Sequence, residues 1–320
     1  MQPGTLINRV VLLIGAIATA GAALSAEQQT PALPPVATFK ASVDLVRVSA
    51  VVRDRRGRFV RDLAVRDCEV IDGGEARRIE EFRHDESKVS LALLFDVSGS
   101  MESRMPHARE AAEQLLSWLN QEGDEAAVFT FDTVLDEVAP FTTGLRRLPP
   151  GLETLTPFGA TSLHDAVART AERAATRDGL RRAVVVFTDG RDNASRLTPG
   201  EVSGIASSID VPVYVVGIVP SIDNPSSDLS ATTFERSALT GPLSDLALWT
   251  GGRAFVASTI AERSQTARQI IDELRQQYLI AFQSSGKPGW HPLVVRARDK
   301  DLTVRARSGY FSGQSRPSSY

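Results

Sequence analysis

The stretch SLALLFDVSGSM, Ser90 to Met101, sets an acid and two hydroxyls, Asp96, Ser98 and Ser100, at alternate positions directly behind an apolar run. Two further stretches bring donors of the same kind. PFGATSLHDA offers Thr161 just ahead of a helical pattern, and FTDG offers Asp189 directly after the apolar run AVVVF. Carboxylate and hydroxyl oxygens without clustered His or Cys suit a hard divalent cation, Mg²⁺, Mn²⁺ or Ca²⁺, over zinc or copper. Two carboxylates offset the charge of the ion, and the hydroxyls add coordination without adding charge. Plainer readings stand beside this one. Ser98 and Ser100 also suit helix capping and a turn, with Gly99 letting the chain bend. Asp165 suits the first turn of its own helix better than a metal, and Asp132, Asp192 and Asn193 suit turns or supports behind the site.

The elements that must position these residues follow from periodicity. LALLF, AVVVF and VYVVGIV are apolar throughout, as expected of parallel strands buried on both faces. EAAVFTFD and VLDEVAPF add two strands. Helical patterns alternate with them: MPHAREAAEQLLSWLN, SLHDAVARTAERAATR, and TPGEVSGIASSI with Thr198 as N-cap and Pro199 at its first position. A further helix near Leu243, the strand RAFVA and a long helix from Ile260 to Gln276 complete an α/β, doubly wound, mainly parallel sheet over residues 89–283. In such a sheet, ligands bind at the carboxyl ends of the strands, the edge where all three donor-bearing loops fall. Helix N-termini at that edge repel a bare cation and attract an anion, so the two acids hold the metal while the dipoles favour an incoming carboxylate.

On either side the pattern is antiparallel. SVDLVRVSAVVRDRRGRFVRDLAVRDCEVIDGG alternates apolar and polar residues with hairpin punctuation, giving an N-terminal β segment over 39–88. YLIAFQ, HPLVVRARD and LTVRARSGYF return to strands, with a C-terminal β segment over 284–313 and a frayed tail over 314–320. The two ends are expected to join in one small antiparallel β domain that flanks the α/β domain or receives it as an insertion. The insertion from Pro220 to Pro242 is long for such a connection and reads as a rim loop or a mobile one.

The donor set resembles the metal-ion-dependent adhesion site of von Willebrand factor A (vWA) domains, and the flanks resemble bacterial VWFA-related domain proteins. D-x-S-x-S after the first strand, a Thr in a later loop and an Asp in a further one are matched by Asp96, Ser98, Ser100, Thr161 and Asp189. The resemblance implies a vWA, Rossmann-like fold. Asp96, Ser98 and Ser100 would hold the metal directly, and Thr161 and Asp189 directly or through water. It also implies a protein partner whose Glu or Asp carboxylate completes the coordination, and a binding module in place of an enzyme.

Composition bounds the remaining classes. A net charge of −3 with 42% hydrophobic residues is ordinary for a globular protein and gives no electrostatic ground for nucleic-acid binding. Arg9 followed by the apolar run Val10–Leu24 and small residues at Ser25 and Ala26 reads as a signal peptide over 1–26, with an uncleaved anchor as the alternative. A Pro/Gln/Ala-rich linker over 27–38 follows. The expected location is exported, periplasmic or extracellular, without stable membrane insertion after cleavage. The single cysteine, Cys68, cannot form an internal disulfide and reads as a small buried apolar residue. A Ser98, His164, Asp189 hydrolase triad is the weaker alternative, since no G-x-S-x-G elbow is present. His84, His107 and His291 lack zinc-ligand spacing, and no Walker glycine loop is present. A structural or assembly role in the cell envelope, with a vestigial metal site, is the other alternative.

Overall fold

The computed structural model describes residues 45–84, 87–218 and 241–312. The expected leader, the linker, the start of the N-terminal β segment, nearly all of the Pro220–Pro242 insertion and the tail lie outside the described residues. The chain opens with strands β1 (Leu45–Arg53), β2 (Cys68–Asp72), β3 (Glu75–Arg77) and β4 (Ile79–Arg83). It then alternates: β5 (Val89–Asp96), α1 (Met105–Ser117), β6 (Glu125–Phe131), β7 (Leu135–Thr143), a short α2 (Pro150–Glu153), α3 (Leu163–Ala175), β8 (Arg181–Thr188), α4 (Pro199–Ser208) and β9 (Val213–Gly217). After α5 (Pro242–Trp249), β10 (Ala254–Val256) and α6 (Ile260–Arg275), it closes with β11 (Tyr278–Gln283), β12 (Gly289–Ala297), β13 (Thr303–Ala306) and β14 (Gly309–Ser312).

The site is built on a six-stranded sheet in the order β10-β9-β8-β5-β6-β7. All its pairs are parallel except β6 with β7, which closes one edge. The alternation of strand faces explains why β5 is apolar throughout. Leu91, Leu93 and Phe95 pack with α1 and α6 on one side, while Ala92 and Leu94 pack with α3, α4 and α5 on the other. Both faces are covered, so no position of β5 faces water. The chain leaves β5 toward β6 on one side and returns through β8 on the other, which makes the carboxyl ends of β5 and β8 the point where the winding reverses. Among the described residues no helix is long and apolar enough to cross a membrane.

The two ends of the chain interleave in two antiparallel sheets, β13-β1-β11-β4 and β14-β12-β2-β3. Val48, Ala50 and Val52 of β1, Val70 of β2, Tyr278, Ile280 and Phe282 of β11 and Leu293 of β12 share one core. Cys68 is buried beside it, and burial pushes its thiol up to about 11, which fits a packing role. Two expectations need correction. The boundary at residue 283 leaves YLIAFQ with the α/β domain, yet β11 pairs antiparallel with β1 and β4 of the flanking β segment. LTVRARSGYF is two strands, because the chain breaks at Arg307 and turns that side chain into the interior. There Arg307 donates to the carbonyls of Ser207 and Arg47 and stands 3.6 Å from Asp210. Asp210 holds a left-handed φ of 52° and accepts from Ser49 Oγ at 3.1 Å, tying the end of α4 to β1.

A second joint is formed by Glu273 of α6. Its fully buried carboxylate accepts from Arg53 of β1 at 3.0 Å and from Arg305 of β13. At the start of α4, Thr198 Oγ1 accepts from Glu201 N at 3.3 Å and Glu201 Oε2 accepts from Thr198 N at 2.8 Å, a reciprocal cap. Thr198→Ala is expected to lower stability by about 1 kcal/mol, read by chemical denaturation.

Candidate metal centre

Asp96 is the last residue of β5, so the strand delivers its carboxylate to the reversal point. The side chain is buried and oriented from two directions: Oδ1 accepts from Ser98 N at 3.0 Å, and Oδ2 accepts from Thr188 Oγ1, at the end of β8, at 2.7 Å. Burial, the largest influence, and the charge of Asp189 outweigh those hydrogen bonds and raise the Asp96 carboxyl to about 6. A buried acid held beside a second acid calls for a positive charge between them.

The loop that follows forms a single 3-10 turn, Gly99–Met101. Ser98 stands at its N-cap position, but its hydroxyl makes no capping hydrogen bond and instead lies 3.3 Å from Ser100 Oγ. The capping reading therefore fails for Ser98, and the two hydroxyls share one place. The glycine that the local geometry requires is Gly159, at φ 92°, whereas Gly99 has no positive φ. Gly99 N donates to Gly159 O at 3.2 Å, and Phe158 N donates to Val97 O at 2.8 Å, drawing the Thr161 loop against the Asp96 loop.

Thr161 is buried and held through its backbone: its N–H donates to Asn193 Oδ1 at 2.8 Å, and its carbonyl accepts from Asn193 N at 3.1 Å and Ala194 N at 3.0 Å. Asn193 thus supports Thr161 from behind, locking that loop to the one that carries Asp189. Asp132 serves a turn, accepting from Val134 N at 2.8 Å. Asp165 accepts from Leu197 N at 2.9 Å and Arg196 N at 3.1 Å, bracing the neighbouring loop. Asp189 has a buried carboxylate, with Arg104 Nη1 at 3.5 Å and Arg191 Nε at 3.6 Å from Oδ2.

The alternative Ser98, His164, Asp189 triad does not assemble. His164 Nδ1 pairs with Asp192 at 2.9 Å, and burial lowers the His164 pKa against the opposing charges of Asp192 and Asp165. The N-terminus of α3 is also already engaged. His164 N donates to Asp192 Oδ2 and to Ser195 Oγ, both at 3.0 Å, and Asp165 N donates to Ser195 Oγ at 3.3 Å, so these two amides are occupied within the chain.

The donor chemistry fits a hard divalent ion. Among the described residues no group of three or more His, Cys, Asp or Glu side chains is placed to hold a metal ion. Sequence reasoning missed Thr188 and Arg104. Thr188 had a faint signal, a hydroxyl ending an apolar strand, whereas Arg104 had none. Thr188→Val removes a donor from a buried acceptor and is expected to lower stability by about 1–3 kcal/mol, measured by urea titration.

Residues 91–191 match the family model of the von Willebrand factor type A domain. Among solved structures, an aerotolerance-related membrane protein of Bacteroides fragilis is similar at 18% identity, covering 58% of this chain and 98% of that one with a TM-score of 0.47. A von Willebrand factor type A protein of Catenulispora acidiphila is similar at 13% identity over 87% of this chain and 76% of that one, with a TM-score of 0.44. The manganese-loaded TRAP protein of Plasmodium vivax is similar at 16% identity over 75% of this chain and 98% of that one, with a TM-score of 0.43. No curated protein matches the sequence significantly.

Proposed function

The chain carries a von Willebrand factor type A domain over residues 91–191, and from that premise we infer that it is an exported, divalent-metal-dependent protein-binding module, not an enzyme. Domains of this type typically serve protein interaction. Asp96, Ser98, Ser100, Thr161 and Asp189 would hold Mg²⁺, with Mn²⁺ or Ca²⁺ as substitutes, and the ion would leave a position for a Glu or Asp carboxylate of a partner. When bound, the ion supplies Lewis acidity toward that carboxylate. The chain's own residues supply the rest: Thr188 orients Asp96, Asn193 holds Thr161, and Gly159 brings the two loops together.

The observation that carries this reading is the pairing of the Ser98 and Ser100 hydroxyls, 3.3 Å apart, on a loop that begins at the buried Asp96. A role outside the cytoplasm, periplasmic or extracellular, rests on the leader-like pattern of residues 1–26.

Immobilised protein incubated with an envelope extract of the native cell tests the proposal. Partners retained in Mg²⁺, released by EDTA and absent with Asp96→Ala are the expected result. Capture that is identical under all three conditions would point instead to an envelope assembly role in which the site does not recognise partners.

A further inference from the structure

Arg104 lies between the metal-candidate loop and α1, and its position bears on how an ion enters. Its Nη1 donates to the Ser100 carbonyl at 2.8 Å and reaches Asp189 Oδ2 at 3.5 Å. The guanidinium is mostly buried, and its Nε has no hydrogen-bond partner among the described residues. Asp189 is a buried carboxylate, and Arg104 is the better shielded of its two cations: the side chain of Arg191 is 67% exposed, that of Arg104 only 19%.

We propose that Arg104 is an internal counter-cation of the site, occupying Asp189 when no divalent ion is present and yielding it when one arrives. The inference rests on the metal-binding reading above and adds to it what sets the affinity. A divalent ion held by Asp96 and Asp189 comes close to the guanidinium on Asp189 Oδ2. Two positive charges in a poorly solvated place repel. The ion must therefore displace Arg104 from Asp189 or tolerate it nearby, and either course weakens binding. The same charge has a second effect. With the ion bound, the buried Arg104 and the exposed Arg191 leave the surroundings of the site cationic, so an acidic ligand is drawn in by more than the metal alone.

The two roles separate by substitution. Arg104→Gln keeps a donor for the Ser100 carbonyl and removes the charge, whereas Arg104→Lys keeps the charge. Calorimetric titration of the chain with Mg²⁺ alone is expected to give an affinity about tenfold tighter for Arg104→Gln than for the unaltered chain, with Arg104→Lys close to the unaltered value. In EDTA, Arg104→Gln is expected to melt lower than the unaltered chain, because Asp189 then loses its shielded counter-ion, and saturating Mg²⁺ is expected to restore it.

An Mg²⁺ affinity that is equal or weaker in Arg104→Gln, while the unaltered chain binds Mg²⁺, overturns this inference and leaves the metal reading standing. An Arg104→Lys variant that tightens as much as Arg104→Gln overturns it as well. No Mg²⁺ uptake by any of the three proteins removes the metal reading and this inference together. Uptake by Arg104→Gln alone supports it in its strongest form.

Discussion

Replacing Asp96 by Asn is expected to stabilise the metal-free chain near neutral pH by on the order of 2–3 kcal/mol while abolishing stabilisation by Mg²⁺. The Asp96 carboxyl is raised from 3.8 to about 6 in the folded chain, chiefly by burial. The folded state therefore binds the proton more tightly than the unfolded one. The favourable contribution is complete below about 3.8 and is lost as pH rises through about 6, so the ionised acid is a cost near neutrality. Asn keeps an acceptor for Thr188 Oγ1 or Ser98 N and carries no charge to desolvate. Urea titrations in EDTA at several pH values check the first half: the advantage of Asp96→Asn should shrink as pH falls from about 6 toward about 4. Adding Mg²⁺ should then reverse the order, because only the unaltered chain gains. A destabilised Asp96→Asn in EDTA at neutral pH would mean that the carboxylate is already compensated without an ion.

Glu273→Ala is expected to lower stability by about 3–5 kcal/mol. The carboxylate is fully buried against Arg53 and Arg305, with Arg253 at 4.0 Å, and removing it leaves these guanidinium groups without an acid. Glu273, Arg53 and Arg305 belong to α6, β1 and β13, so the loss falls on the contact between the central sheet and the antiparallel ones. Guanidinium denaturation should show a large fall in midpoint. The double variant Glu273→Leu with Arg305→Met is expected to recover part of it, because replacing charges on both sides removes the uncompensated group. A single variant that unfolds at the unaltered midpoint would show that water screens the cluster.

What could be read in the sequence tracks how local the cause was. The apolar run ending in Asp96 and the alternating serines behind it are set by strand period and turn chemistry within a dozen residues, and both were legible. Thr161 and Asp189 lie far along the chain. They were placed at the same edge because the carboxyl ends of parallel strands form one edge of the sheet. Asn193 was among the residues read as turns or supports, but that it holds Thr161, that Thr188 orients Asp96 and that Arg104 faces Asp189 depend on distances fixed only in three dimensions. The misplacement of YLIAFQ has the same origin: an apolar run fits a buried strand in either kind of sheet, and only its pairing with Val46 to Ala50 decides. In LTVRARSGYF, the alternation gave no hint that Arg307 would turn inward toward Asp210 and interrupt the strand. The first amides of α3 are engaged by Asp192 and Ser195, a partnership invisible until α3 and the loop after β8 meet.

Asp96, Ser98, Ser100, Thr161 and Asp189 are proposed to form one cation site. Anomalous diffraction from crystals of the chain soaked in Mn²⁺ tests it most directly. A single strong peak is expected at the carboxyl ends of β5 and β8, within roughly 2.0–2.6 Å of oxygens from Asp96, Ser98 and Ser100 and in direct or water-mediated contact with Thr161 and Asp189. No peak there, with Asp189 still paired to Arg104, would contradict it.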